Sequence, residues 1–168
     1  MFEQDYLLRG KHATYTKYLR DTANLFDRYL DVYMLGAVVG YLHNRKSEKD
    51  LSTNDTAAML ASVFIGEKDK CEFIYRLIML MDTSTGLSAD QRVDRAFRDD
   101  TNEEAVKNNL RLFNSYVLGG IEVLYEKFVD NCTTRDDYLD GIYKFVNEFK
   151  SDIDNVHNDE DLVLKMTK

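Results

Sequence analysis

The chain has 168 residues, 44% hydrophobic and 31% charged, a globular balance that excludes a disordered chain and at this length favours one domain, able to bury roughly 70% of its unfolded surface without a metal or disulfide. Eight glycines and no proline argue against a turn-rich β-sandwich and for long helices, whose interiors exclude proline. The formal net charge of −8 argues against a direct nucleic-acid binder, because affinity for a phosphate backbone rests on clustered Lys and Arg; it leaves open a basic partner or a surface that imitates DNA.

Residues 1–24 are polar and rich in tyrosine, with no apolar core of the kind a secretory signal needs, so a cytoplasmic location is the expectation. Tyr15, Tyr18, Leu19 and Thr22 are spaced to share a helical face, and Gly10 is a candidate break before it. Residues 25–46 read as a helix. Phe26, Tyr29, Tyr33, Gly36 and Gly40 form one stripe, and Leu25, Val32, Leu35, Val39 and Leu42 form a second beside it. Two apolar stripes imply burial on most sides, which puts this helix at the centre of the fold. Its continuous apolar run, Val32–Leu42, is far short of the ~20 residues that span a bilayer, so no membrane is expected.

A polar loop is expected over 47–56, and 57–66 is ambiguous between a short helix ending near Gly66 and a strand at "SVFI", with helix the favoured reading. "KDKCEFIYRLIMLMD", 68–82, predicts a helix with Ile74, Leu77, Ile78 and Met81 on its core side. Gly86 suits a left-handed turn, and Ser88 with Gln91 forms a capping box opening a helix to about Arg98. Thr101 with Glu104 repeats that pattern ahead of the longest helix, whose stripe of Val106, Leu110, Phe113, Val117, Gly120, Leu124 and Phe128 steps by three or four. Thr134 then caps a last helix carrying Tyr138 or Leu139, Ile142, Phe145, Phe149 and Ile153. Together these predict an all-α fold: an irregular bundle of five to seven helices around a buried central helix, one domain over 1–157 and a frayed tail at 158–168.

Glycine inside a helix costs about 1 kcal/mol relative to alanine, so a helix carrying Gly36 and Gly40 on one face needs a compensating contact. A second bare site, Gly119 and Gly120, lies on the long helix. The two helices are therefore expected to cross at Gly36, Gly40, Gly119 and Gly120, where missing side chains let backbones approach. A phosphate cradle fits less well: "GAVVG" has no preceding strand and no Gly-x-Gly spacing, and no G-x-x-x-x-G-K-[ST] occurs.

No catalytic signature is present. His12, His43 and His157 are far apart, and Asp27 and Asp31 lack the Glu-x-x-His pair of a di-metal bundle site, so no catalytic residue, cofactor or metal is assigned. Cys71 and Cys132 read as buried free thiols. Arg45 and Lys46 close the central helix, where the dipole favours cations. The charge-dense "DQRVDRAFRDD", 90–100, reads either as a solvated helix laced with weak ion pairs or as a partner-binding surface of Arg92, Arg95 and Arg98 anchored by Phe97.

The stretches "LDVYMLGAVVGYLHNRK", "CEFIYRLIMLMD" and "FRDDTNEEAVKNNLRLFNSYVLGGIEVLYEKF" resemble small helical proteins of bacterial phage-defence clusters, the type associated with DNA phosphorothioation. The resemblance implies an accessory protein acting beside a larger subunit and carries over no catalytic residues. The reading that follows is a non-catalytic helical adaptor or accessory subunit whose partner is another protein of the same system, with homo-oligomerisation left open. The alternatives are an acidic DNA-mimic or inhibitor, which requires carboxylates in rows, and a nucleotide-sensing or hydrolytic enzyme, which requires a pocket collecting Arg45, Asp27, Asp31 or His43.

Overall fold

The structure, a computed structural model, describes residues 1–130 and 132–166 in backbone, and side chains as far as Ser151 with the exception of Asp100. It is all-α in class: seven α-helices among the described residues and one two-stranded sheet. The elements are β1 (Tyr6–Arg9), α1 (Gly10–Lys17), α2 (Tyr29–Leu42), β2 (Thr56–Met59), α3 (Ala61–Gly66), α4 (Lys68–Met81), α5 (Ala89–Phe97), α6 (Glu103–Phe128) and α7 (Arg135–Met166). A π-helical turn at Tyr18–Thr22 follows α1, and a 3-10 turn at Asp99–Thr101 precedes α6. The chain forms two compact units, Met1–Tyr125 and Glu126–Lys168. Of the tail expected to fray, 158–168, the backbone of α7 is helical to Met166, and Thr167 and Lys168 lie outside the described residues.

The sheet adds a strand before Gly10, where the sequence pattern assigned no element, and leaves the helix after Gly10 in place. β1 pairs antiparallel with β2, Tyr6 opposite Met59 and Arg9 opposite Thr56, so Leu8, Ala57 and Met59 point into the core. The ambiguous segment resolves into both alternatives in succession, and the strand lies earlier than "SVFI", which belongs to α3. Gly10 is the break between β1 and α1; its φ of +59° is a left-handed conformation that an L side chain resists.

α2, Tyr29–Leu42, is shorter at both ends than the helix expected over 25–46. Asp31 reaches back to the backbone N–H of Arg28 at 3.1 Å, fixing the start. At the other end Asn44 adopts φ +47°, Arg45 N–H donates to Gly40 carbonyl at 2.8 Å and Asn44 N–H to Tyr41 carbonyl at 3.0 Å, a Schellman motif that turns the chain before the basic residues. α4 sits differently from its expected face. Its buried residues are Cys71, Tyr75, Ile78 and Met79, while Leu77 and Met81 face outward. The α5 capping box is present, with Ser88 and Gln91 exchanging both bonds. α6 is capped by Asn102, whose Oδ1 accepts from Ala105 N–H at 3.1 Å, rather than by Thr101, which belongs to the 3-10 turn.

The core of the first unit is aromatic. Phe2, Phe64, Tyr75 and Phe113 meet with ring centroids 5.6–6.1 Å apart, and Tyr33 edges onto Phe64 at 5.4 Å. Phe113, Val117, Gly120 and Leu124 of the α6 stripe are buried. In the second unit Phe145 packs edge-on against Phe128 at 5.2 Å, Thr134 caps α7 through Asp137 N–H at 3.3 Å, and Phe149 is exposed rather than packed.

Candidate functional site

Where α2 meets α6 there is no room for side chains. A Cβ on Gly120 would lie 1.8 Å from the Gly36 carbonyl oxygen and 2.7 Å from Gly40 nitrogen; one on Gly40 would lie 2.0 Å from the Tyr116 carbonyl oxygen; one on Gly36 would meet the Val117 carbonyl at 3.0 Å. Gly119 faces a different neighbour: its Cβ would fall 2.1 Å from the Arg45 carbonyl oxygen, in the segment that leaves the Schellman turn. Ser47 N–H donates to the Ser115 carbonyl at 2.9 Å and pins that segment along α6. At each of these four glycines the nearest atom is protein backbone.

This close approach delivers Arg45, Lys46 and Ser47 to two buried carboxylates that the sequence reading did not single out. Glu122 of α6 is only 6% exposed. It accepts from Ser47 Oγ at 2.6 Å, His12 Nε2 at 3.0 Å, Lys11 Nζ at 2.9 Å and Arg45 Nη2 at 2.9 Å. Burial alone would raise its pKa; the four donors outweigh that and hold it at about 2. His12 is completely buried, and burial lowers its pKa against the opposing pull of Glu122. A neutral His12 donating from Nε2 leaves Nδ1 as a bare acceptor, in agreement with the absence of any partner at that atom among the described residues. Thr16, one turn along α1 and equally buried, has an unpartnered hydroxyl as well.

Asp82 follows the last turn of α4 and is 1% exposed. It accepts from Tyr116 hydroxyl at 2.7 Å, Ser84 hydroxyl at 2.6 Å and Arg95 Nη1 at 3.3 Å, with Lys46 Nζ 4.0 Å away. Burial opposes its ionisation, but the Ser84 and Tyr116 hydroxyls more than offset this and its pKa is lowered. The Tyr116 hydroxyl, buried and already donating to a carboxylate, is pushed up to about 12. Lys46 donates to Ser84 at 2.5 Å and lies over the Tyr116 ring, 4.8 Å from its centroid. The cations at the end of α2 thus answer two specific carboxylates, more than the helix dipole requires.

The arginines of α5 separate into two groups. Arg95 is 4% exposed, and its guanidinium donates to the carbonyls of Met79 and Asp82, to Thr85 and to the Asp82 carboxylate. Arg92 donates to the carbonyls of Leu80 and Leu87 at 3.0 and 3.1 Å. Both satisfy carbonyls that the end of α4 leaves open. Arg95 is therefore internal and cannot belong to a partner surface, and Arg92 is half-buried with its donors engaged. Phe97, 52% exposed, and Arg98, paired with Asp94 at 2.6 Å, do lie at the surface.

Asp31 pairs with Arg28 at 2.7 Å and Arg45 with Glu122, so the proposed pocket of Asp27, Asp31, His43 and Arg45 is not assembled. Among the described residues no cluster of three or more His, Cys, Asp or Glu side chains is placed to hold a metal ion. Cys71 is buried with its thiol pushed up to about 11, whereas Cys132 is half-exposed, not buried as expected. A cavity of about 1070 Å³ opens beside α6, lined by Phe2, Tyr6, Tyr33, Phe64, Leu110 and Asn114 among others; Tyr33 hydroxyl donates to Asn114 at 2.8 Å inside it. No helix among the described residues is long and apolar enough to cross a membrane.

One signal for the missed carboxylates was present: Glu122 interrupts the apolar run "VLGGIEVLY", and Asp82 directly follows the apolar "LIMLM". A lone acid in such a run must be paired if it is buried.

No curated protein and no solved structure matches the chain. A family model matches residues 10–164, which include α1, β2, the glycine crossing and both carboxylate clusters, and the chain belongs to that family, described as DNA sulphur modification system-associated protein 4.

Proposed function

We propose that this protein is a non-catalytic accessory subunit that acts by protein–protein contact within a multi-protein DNA sulphur-modification, phage-defence system. The family description supports the system. The observation that carries the mode of action is an apolar exterior on α4 and α5: Phe73 is 67% exposed and Phe97 52%, with Leu77 and Met81 exposed on the same helix as Phe73. The buried ionisable groups, by contrast, are engaged with one another. Phe97 and Arg98 are proposed as partner-binding residues, with Arg92 at their edge. Affinity purification from the native host with mass spectrometry tests this. Recovery of a larger protein in stoichiometric amount supports the reading; a lone monomer that turns over nucleic acid or nucleotide overturns it.

A further inference from the structure

α2 is apolar on all sides, a pattern that calls for burial on most of them. Only one side receives it. The face bearing Leu30, Val32, Tyr33, Gly36, Ala37, Val39 and Gly40 is buried, while Met34, Leu35 and Val38, half-buried, line an open cleft of about 670 Å³ against α4. The rest of the lining is Phe26, Phe73 and Ile74 together with Asp31, Asp69 and Lys70, and the row Phe73, Leu77, Met81 on successive turns of α4 extends its apolar wall. Apolar side chains repeated once per turn and left in water contribute little to folding; a contiguous patch of them marks a contact surface.

The two helices run the same way. Arg28 at the start of α2 pairs with Glu67 at the start of α4 at 2.8 Å, and Tyr41 near the end of α2 donates to the Met81 carbonyl at 3.3 Å. Both N-termini therefore lie at one end of the cleft. There Arg28 is spent on Asp31 and Glu67, and Lys70 on Glu67. Asp69 in the lining and Asp27 beside Phe26 are exposed and have no ion pair among the described residues, so this end is net negative, with Asp27, Asp31, Glu67 and Asp69 set against Arg28 and Lys70.

We propose that the α2–α4 cleft receives an amphipathic helix of another protein, its apolar stripe on Leu35, Val38 and Phe73 and a Lys/Arg-rich end against Asp27 and Asp69. This rests on the accessory-subunit reading and names its contact surface. A groove of apolar side chains between two helices takes a helix with anchors spaced three or four apart, and the unpaired carboxylates select the sign of its flank. The chain's own exposed apolar helix face is a poorer occupant. Leu139, Tyr143 and Val146 of α7 are accompanied by Asp136, Asp137 and Asp140 at the start of that helix, which would set acid against acid.

The test uses the full-length protein and two fluorescein-labelled amphipathic helical peptides with the same apolar stripe, one ending in Lys and Arg and the other in Glu. At low salt the basic peptide binds about fivefold or more tightly than the acidic one. Phe73→Glu and Leu35→Glu each weaken it by about tenfold or more while the thermal midpoint stays close to wild type, and Asp69→Lys abolishes the preference. Equal binding of both peptides, binding of neither, or indifference to Phe73→Glu overturns the inference. In the host, a photo-crosslinker at Phe73 is expected on a helical segment of a different protein with a basic end; crosslinking to a second copy or to an acidic segment overturns it. A stoichiometric partner retained by Phe73→Glu removes the cleft from the interface but leaves the accessory reading standing, whereas loss of any partner in the wild type removes both.

Discussion

At the scale of single residues, the glycines and the buried acids act together. At Gly120 the conflicting atoms are the backbone of Gly36 and Gly40, which cannot swing aside as a side chain can. Gly120→Ala is expected to cost about 3 kcal/mol or to prevent folding, at or beyond the usual range for overpacking, and Gly66→Ala, with open space around it, to be neutral or slightly stabilising. Urea melts of the two variants give the comparison, and similar stabilities would refute the backbone contact. The His12–Glu122 pair adds a pH dependence. His12 has a folded pKa below its ordinary 6.5, so the unfolded chain binds the extra proton and stability declines as pH falls below about 6.5. Glu122, held at about 2 against an ordinary 4.5, contributes stability that is complete above 4.5 and lost as pH falls from there towards 2, on the order of 3 kcal/mol. Asp50 and Asp137, both also near 2, add to the acid limb. Denaturation midpoints across pH should show both declines; in His12→Gln the upper one should disappear and the lower one persist.

At the scale of elements, what was legible in the sequence followed the length of the signal. The α6 stripe repeats over seven positions, and its interior part is buried. β1 and β2 are four residues each, too short for a period of two to declare itself, and β2 contains two alanines, which are poor strand formers. They exist because pairing between distant segments completes a surface that neither builds alone. The face of α4 was misread for a related reason. Spacing alone ranks Leu77 and Met81 with Ile78, and only the position of α5, whose arginines clamp the end of α4, decides which side is covered. The cap of α6 discriminates between the two readings directly. Asn102→Ala should cost about 1 kcal/mol by loss of the bond to Ala105 N–H, whereas Thr101→Ala should change stability by a few tenths at most. A Thr101 variant the more damaged of the two in thermal unfolding would restore the capping box drawn from sequence.

At the scale of the whole molecule, the polar clusters and the glycine crossing all belong to Met1–Tyr125. Sequence locates the glycine crossing directly but marks the acids only as lone charges in or beside apolar runs, without their partners, because a helix-crossing pattern is local in each helix, whereas a buried ion cluster is assembled from α1, the segment after α2, and α6. Glu122 is paired with residues 75 to 111 positions away in the chain. The same distribution makes the first unit self-sufficient in its buried charges: among the described residues, none of the donors to Glu122 or Asp82 comes from beyond Tyr125. A fragment of residues 1–130, which keeps all of α6, should therefore unfold in one cooperative transition and retain the pH decline assigned to His12. Its loss of stability should be limited to about 2–4 kcal/mol, the order of the apolar cover that Phe145 gives to Phe128 together with neighbouring contacts. Circular dichroism melts of the fragment at neutral and mildly acidic pH measure both quantities. A fragment that melts without cooperativity would mean that residues beyond 130 are required to hold the glycine crossing closed.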